Sequence, residues 1–288
     1  MLALAAEANL PKAIEYLDAR QQAWADFKPA QSASGTCISC HTGFGYLLAH
    51  KGDHPLRSAL QKRLTDGDAR KGVMPSVESV LAAVLMPSDA ALERMWKFQI
   101  REGEHKGSWN WFDLKLDPWE TSDSKYFGAA LAAVAASRSK SPPDQFAELR
   151  GYLERKRSGQ PLHNRLVLLW TQKDFLAKQE RKELEMALLN AQAKDGSWTL
   201  ASLGPWAKAL QGEGDAYATA LAAYTLKRAG LAKHKSFRRA SEWLASRQDA
   251  ASGAWKASSM NKTYPAGSMM EGFMNDAATA YAVAALQR

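Results

Sequence analysis

Gln192-Ala193-Lys194-Asp195-Gly196-Ser197-Trp198, followed after a loop by Asp215-Ala216-Tyr217-Ala218-Thr219-Ala220, is the stretch on which the fold turns. The same order of residue types returns as Trp243, Gln248, Gly253-Ala254-Trp255 and then Asp276-Ala277-Ala278-Thr279-Ala280. It occurs once earlier, as Trp96, Gln99, Gly107-Ser108-Trp109 and then Gly128-Ala129-Ala130-Leu131-Ala132-Ala133. Each copy reads as a helix, a glutamine, a glycine-x-tryptophan, a loop and a helix of small residues, and such self-similarity marks stacked supersecondary units. The chemistry of each position is plain. Tryptophan buries a large apolar area, and its ring N–H and the glutamine amide can satisfy polar groups at a helix end. Alanine-rich helices let neighbours approach closely, and Asp215 and Asp276 are placed to cap the helices that follow them. A fourth, degenerate copy stands first: a helix ending near Trp24 leads to a loop where Cys37-Ile38-Ser39-Cys40-His41 takes the place of glycine-x-tryptophan.

Working outward, Ala, Leu, Lys, Arg and Glu dominate the periodic segments, and strand-like alternation never persists. The pattern predicts an all-α chain with helices near 11–26, 41–50, 76–85, 88–102, 124–137, 143–156, 161–170, 178–193, 215–229, 236–247 and 276–287. Pro87, Pro142-Pro143, Pro161, Gly230 and Gly253 fall at the proposed boundaries. Residues 52–75, rich in charge, glycine and proline, read as a polar insertion within a single domain over 11–288. The apolar share of 46% and charged share of 24% are those of a globular protein, and no apolar run approaches the length that crosses a bilayer. The net charge is +8, with basic clusters at Arg150–Arg157 and Lys233–Arg239. These suit an acidic redox partner or an anionic membrane face, with peripheral association with a membrane complex, or else are the solvated outer faces of helices. The clusters sit in no recognisable nucleic-acid-binding module, which argues against nucleic acid. His105, His163 and His234 sit in polar surroundings that predict surface positions.

The Gln…Gly-x-Trp elements and the small-residue helices resemble the repeats of the squalene–hopene cyclase and prenyltransferase superfamily. The resemblance covers roughly residues 88–288, with a weaker copy at 11–50. It implies an α/α toroid, here an incomplete ring of about four helix-pair repeats. The activities of that superfamily do not follow. An alkene-protonating cyclase needs a D-x-D-D acid cluster, and the nearest approach is Asp66-Gly67-Asp68-Ala69 in the polar insertion. A prenyltransferase needs an Asp/Cys/His zinc site, whereas both cysteines of this chain belong to one motif.

That motif carries the chemistry. In C-x-x-C-H the thiols of Cys37 and Cys40 add across the two vinyl groups of a haem, and His41 supplies the proximal iron ligand. A thioredoxin-like pair would want a βαβ setting, and a structural zinc site two further ligands at familiar spacing. The motif therefore predicts one haem c, held by Cys37, Cys40 and His41. Such attachment takes place outside the bacterial cytoplasm, so the chain is expected in the periplasm or otherwise exported. Residues 1–10 fit either the remnant of a secretory signal peptide, with cleavage near Ala5 to Ala8, or a frayed helical turn. For the sixth ligand, a ring that returns on itself sets its last repeat beside its first. The loop at 253–275, with Met260, Met269, Met270 and Met274, then neighbours the haem. Met274 is the first choice and Met74, in Gly72-Val73-Met74-Pro75, the alternative; gap-filling in the core is the competing use of such methionines. Three readings remain open: an electron-transfer monohaem cytochrome, a haem enzyme oxidising an apolar, isoprenoid-like substrate in the toroid cavity, and a haem subunit of a larger membrane redox complex.

Overall fold

In a computed structural model, which describes residues 7–32, 35–66, 72–138, 144–206 and 213–287, the chain is helical, and strand pairing among these residues is limited to isolated bridges. The α-helices are α1 (Leu10–Asp26), α2 (Gly43–Ala49), α3 (Pro55–Asp66), α4 (Met74–Leu85), α5 (Asp89–Lys97), α6 (Ser124–Ala136) and α7 (Gln145–Lys156). They continue with α8 (Leu162–Leu166), α9 (Lys178–Asn190), α10 (Leu200–Leu203), α11 (Ala216–Arg228), α12 (Lys235–Arg247) and α13 (Phe273–Leu286). The all-α expectation holds, and most boundaries fall within three residues of those predicted. Pro55–Asp66, expected inside a polar insertion, instead forms α3, with Leu56, Leu60 and Arg63 turned inward. Residues 1–6, Pro142-Pro143 and Gly67-Asp68-Ala69 lie outside the described residues. Among those described, no helix is long and apolar enough to cross a membrane.

The contacts divide the chain into two compact units. One comprises Met1–Lys28, Ser39–Lys51 and Glu185–Arg288; the other comprises Pro29–Ile38 and Gly52–Leu184. In the first unit α11, α13 and α2 lie side by side, buried around almost their whole circumference. Their small residues permit this: a Cβ on Gly45 of α2 would lie 2.8 Å from Ala280 Cβ of α13. The amphipathic α1 and α12 pack outside them. In the second unit α4 and α6 form the buried pair, with α6 also against the 3-10 turn Val167–Trp170 and with α5 and α7 outside.

The repeated Gln…Gly-x-Trp is a clamp on helix ends. Trp109, Trp198 and Trp255 are fully buried, and their indole N–H groups donate to Met95 O (2.7 Å), Leu188 O (2.9 Å) and Leu244 O (2.8 Å). Each of these carbonyls sits in the last turn of the preceding helix, where the regular i→i−4 ladder runs out of donors; Met95 O also accepts from the capping Phe98 N–H. Gln99, Gln192 and Gln248 each donate from Nε2 to the carbonyl of the following motif glycine and to a carbonyl at the start of another helix. Those second acceptors are Gln145 O, Ser236 O and Asn9 O. The glycines have φ of +94°, +99° and +78°, and a Cβ there would lie 2.2 Å from Glu148 O, 2.8 Å from Arg239 O and 2.7 Å from Lys12 O. In the first unit the third copy thus binds the end of α12 to the start of α1.

Replacing Gly196 or Gly253 with alanine adds backbone strain and a steric clash together. Denaturant titration is expected to show each variant less stable by about 1–3 kcal/mol. Gly103→Ala, at φ +72° but in open space, is expected to lose less.

Candidate functional site around the Cys37–His41 segment

Cys37 and Ile38 belong to the second unit, Ser39 to His41 to the first. On the second-unit side, three successive backbone groups are pinned. Arg63 Nη2 donates to Thr36 O (2.9 Å), Cys37 N–H to Ala30 O (2.8 Å), and Ile38 N–H to Glu78 Oε1 (2.8 Å). Glu78 Oε2 in turn accepts from Arg63 Nη1 at 2.5 Å, so a buried ion pair between α3 and α4 grips both flanks of Cys37. Arg63 Nε, also buried, has no partner among the described residues. Exposed pairs such as Lys97–Glu93 contribute about 0–1 kcal/mol. Breaking a buried pair costs more than its presence contributes, because the remaining charge is stranded.

On the first-unit side the chain turns at Cys40 to Thr42 into α2, with Ser39 Oγ accepting from the N–H groups of Thr42 (3.0 Å) and Gly43 (3.2 Å). Cys37 is half-buried, Cys40 buried, and both are thiols. His41 is buried in an aromatic setting. Its ring stacks on Phe273 at 3.6 Å between centroids, and Trp24 meets its edge at 4.9 Å. Burial, reinforced by the nearby Arg20 charge, lowers its pKa to about 3, so the imidazole is neutral across the physiological range. Its Nδ1 lies 2.8 Å from Thr42 Oγ1, which donates to Asp276 Oδ2 at 2.9 Å. Asp276 Oδ1 accepts from Tyr16 OH (2.9 Å) and Arg20 Nε (2.7 Å), and its Oδ2 from Arg20 Nη2 (3.0 Å). Burial raises the Asp276 pKa while Arg20 pulls it down, and burial raises that of Tyr16.

The first turn of α13 and the Cys40–His41 turn are therefore neighbours. Asp276 was expected to cap its helix, yet α13 starts at Phe273 and Asp276 stands in its first turn, bonded to other elements. The residue equivalent to Asp215 is Asn275. Thr219 and Thr279 each lie four residues beyond them and accept from Trp198 N–H and Trp255 N–H. Asp215 does cap α11, accepting from the N–H groups of Tyr217 and Ala218. Asp276 is thus an extra charge in a helix otherwise made of small and apolar residues, and this oddity was the available signal for its role. Met274 is buried as the second residue of α13, and Met74 is the first residue of α4. Among the described residues, no three His, Cys, Asp or Glu side chains cluster as ligands for a bare ion.

His163, expected on the surface, is buried against the Phe127 ring at 5.6 Å and hydrogen-bonded through Nδ1 to Asn164 Oδ1. The turn after Pro161 carries it inward. His105 and His234 are half-buried, and His234 caps α12. Comparison with protein-family models and with curated proteins returns no match for this chain.

Burial lowers the His163 pKa from 6.5 to about 4. Between those values the unfolded chain binds a proton that the folded chain refuses, so stability falls as pH drops through this window and is flat above it. The expected slope is about 1.4 kcal/mol per pH unit. His163→Gln is expected to flatten the pH 4–6.5 limb of a denaturation series relative to the parent protein.

Proposed function

We propose that Cys37, Cys40 and His41 bind one haem c covalently and that the chain is an exported monohaem cytochrome working in electron transfer. The observation that carries this reading is the pairing of C-x-x-C-H with a buried, neutral imidazole whose Nδ1 is already hydrogen-bonded. A neutral histidine with one nitrogen engaged is the form in which histidine ligates a metal. Two further features suit the group. The backbone around Cys37 is pinned on both sides, and Arg63 Nε is a buried donor with no partner among the described residues, of the kind that can donate to a haem propionate. When bound, the iron supplies a one-electron couple. The protein's part is to hold it through two thioethers, keep water from the proximal side with Trp24 and Phe273, and present the carrier to a partner.

The same proposal includes the α/α toroid, supported by the clamp that recurs at three loops, and export, supported by the chemistry of haem attachment. It gives Met274 the sixth position, with Met74 as the alternative, and assigns the basic faces of α7 and α12 to docking on an acidic redox partner or a membrane complex.

Expressed with a c-type maturation system, the protein is expected to keep its haem stain on a denaturing gel, and Cys37→Ala/Cys40→Ala to lose it. A wild type without stain overturns the assignment. In the oxidised spectrum, a methionine-to-iron band near the red end should vanish in Met274→Ala; persistence of the band there and its loss in Met74→Ala transfers the ligand to Met74.

A further inference from the structure

We propose that Asp276 is a positioning residue which, through the Thr42 hydroxyl, locks His41 as its Nδ1–H tautomer and so makes Nε2 the iron-binding nitrogen. The proposal deepens the haem reading and rests on it for the iron, while the tautomer itself belongs to the protein alone.

The direction of the chain follows from counting protons. Four donors converge on the two oxygens of Asp276: Tyr16 OH, Arg20 Nε, Arg20 Nη2 and Thr42 OH. A carboxylate gripped in this way accepts and does not donate. The Thr42 hydroxyl has one hydrogen. Turned toward His41, it would leave two oxygen atoms facing each other 2.9 Å apart with no proton between them, inside the protein. Directed at Asp276, it makes a charge-assisted bond, roughly twice as strong as a neutral one. The hydrogen therefore belongs to Asp276, and Thr42 offers His41 only a lone pair. Nδ1, 2.8 Å away, must be the donor. In the neutral ring the remaining lone pair is then on Nε2.

The surroundings are built to keep Asp276 in this role. It comes from α13, Arg20 and Tyr16 from α1, and Thr42 from the turn before α2, all in the first unit. Arg20 Nη2 also donates to Met269 O. A Cβ at Gly272 would lie 2.2 Å from Arg20 Nη2, so glycine there makes room for the guanidinium. Asp276 is 1% exposed. Because a buried ion pair is a weak source of stability, orientation of His41 is the better account of why it stands here. An Nδ1–H drawn toward a carboxylate also makes Nε2 a stronger electron donor, which favours the oxidised iron.

The test uses the full chain prepared with and without the maturation system. In the haem-free preparation, nitrogen NMR of the imidazoles, with His41 identified by the signals lost in His41→Gln, reads the tautomer directly. The expected result is Nδ1–H in the wild type and in Thr42→Ser, and a majority Nε2–H in Thr42→Val, which has the same shape but no hydroxyl. In the haem-loaded preparation the reduction potential is expected to rise in Thr42→Val and to return toward wild type in Thr42→Ser, a pattern that loss of packing does not produce. A wild-type His41 protonated on Nε2, or a Thr42→Val protein that keeps the wild-type tautomer, overturns the proposal. A wild type that never takes up haem overturns the haem reading instead, and the haem-free spectra still decide the tautomer.

Discussion

Backbone groups at helix ends are the constraint on which the rest of the structure depends. Each helix leaves several amides and carbonyls without intrahelical partners, and burying them unpaired is costly. This protein meets the demand with one device used three times, in which an indole closes the end of one helix and a glutamine joins that end to the start of another. In the first unit, the device at Gln248 reaches Asn9, 239 residues away in sequence. The entropy of closing a loop grows only logarithmically with its length, so this closure costs roughly 3 kcal/mol more than one over about ten residues rather than in proportion to its length. Its consequence is large. With α1 held at the end of α12, α13 lies against both α1 and α2, and the side chains of 273 and 276 come to rest on His41 and Thr42.

Each unit carries a buried charge system next to its own part of the motif segment. Glu78 and Arg63 hold the backbone of 36–38, while Asp276 and Arg20 hold the Thr42 hydroxyl. Desolvation offsets most of the attraction in such pairs, and hydrophobic replacements are often as stable. Their effect is geometric: each carboxylate accepts from the ion partner and from a group of the motif segment at once. For the haem proposed above, holding the imidazole in one orientation beforehand would remove ordering cost from the binding step.

Much of the fold was legible in the sequence because its signals are local. Helical periodicity, prolines at boundaries and the Gln…Gly-x-Trp order depend on neighbours a few residues apart, and they placed most of the helices and the roles of Gln99, Gln192, Gln248 and the three tryptophans. The misses have a common cause. Arg63 in α3 reads as one more charge in a polar stretch until Glu78 is set beside it. His163 reads as a surface residue until Phe127 packs over it. Asp276 reads as a cap, because Asp before Ala-Ala-Thr matches Asp215 before Ala-Tyr-Ala-Thr, and only the paired threonine–tryptophan bonds show that Asn275 holds the equivalent place.

By itself the sequence determined the helical class, the clamp, and the C-x-x-C-H segment with its expectation of a haem, since each is written in residues close together along the chain. Tertiary structure alone decided which nitrogen of His41 is engaged and which charges stand behind the motif. Those depend on Tyr16, Arg20, Thr42 and Asp276 meeting from positions up to 260 residues apart, and on hydrogen-bond donors and acceptors whose roles are set only when each has its neighbour. A carboxylate has no assigned partner in a sequence; packing supplies one.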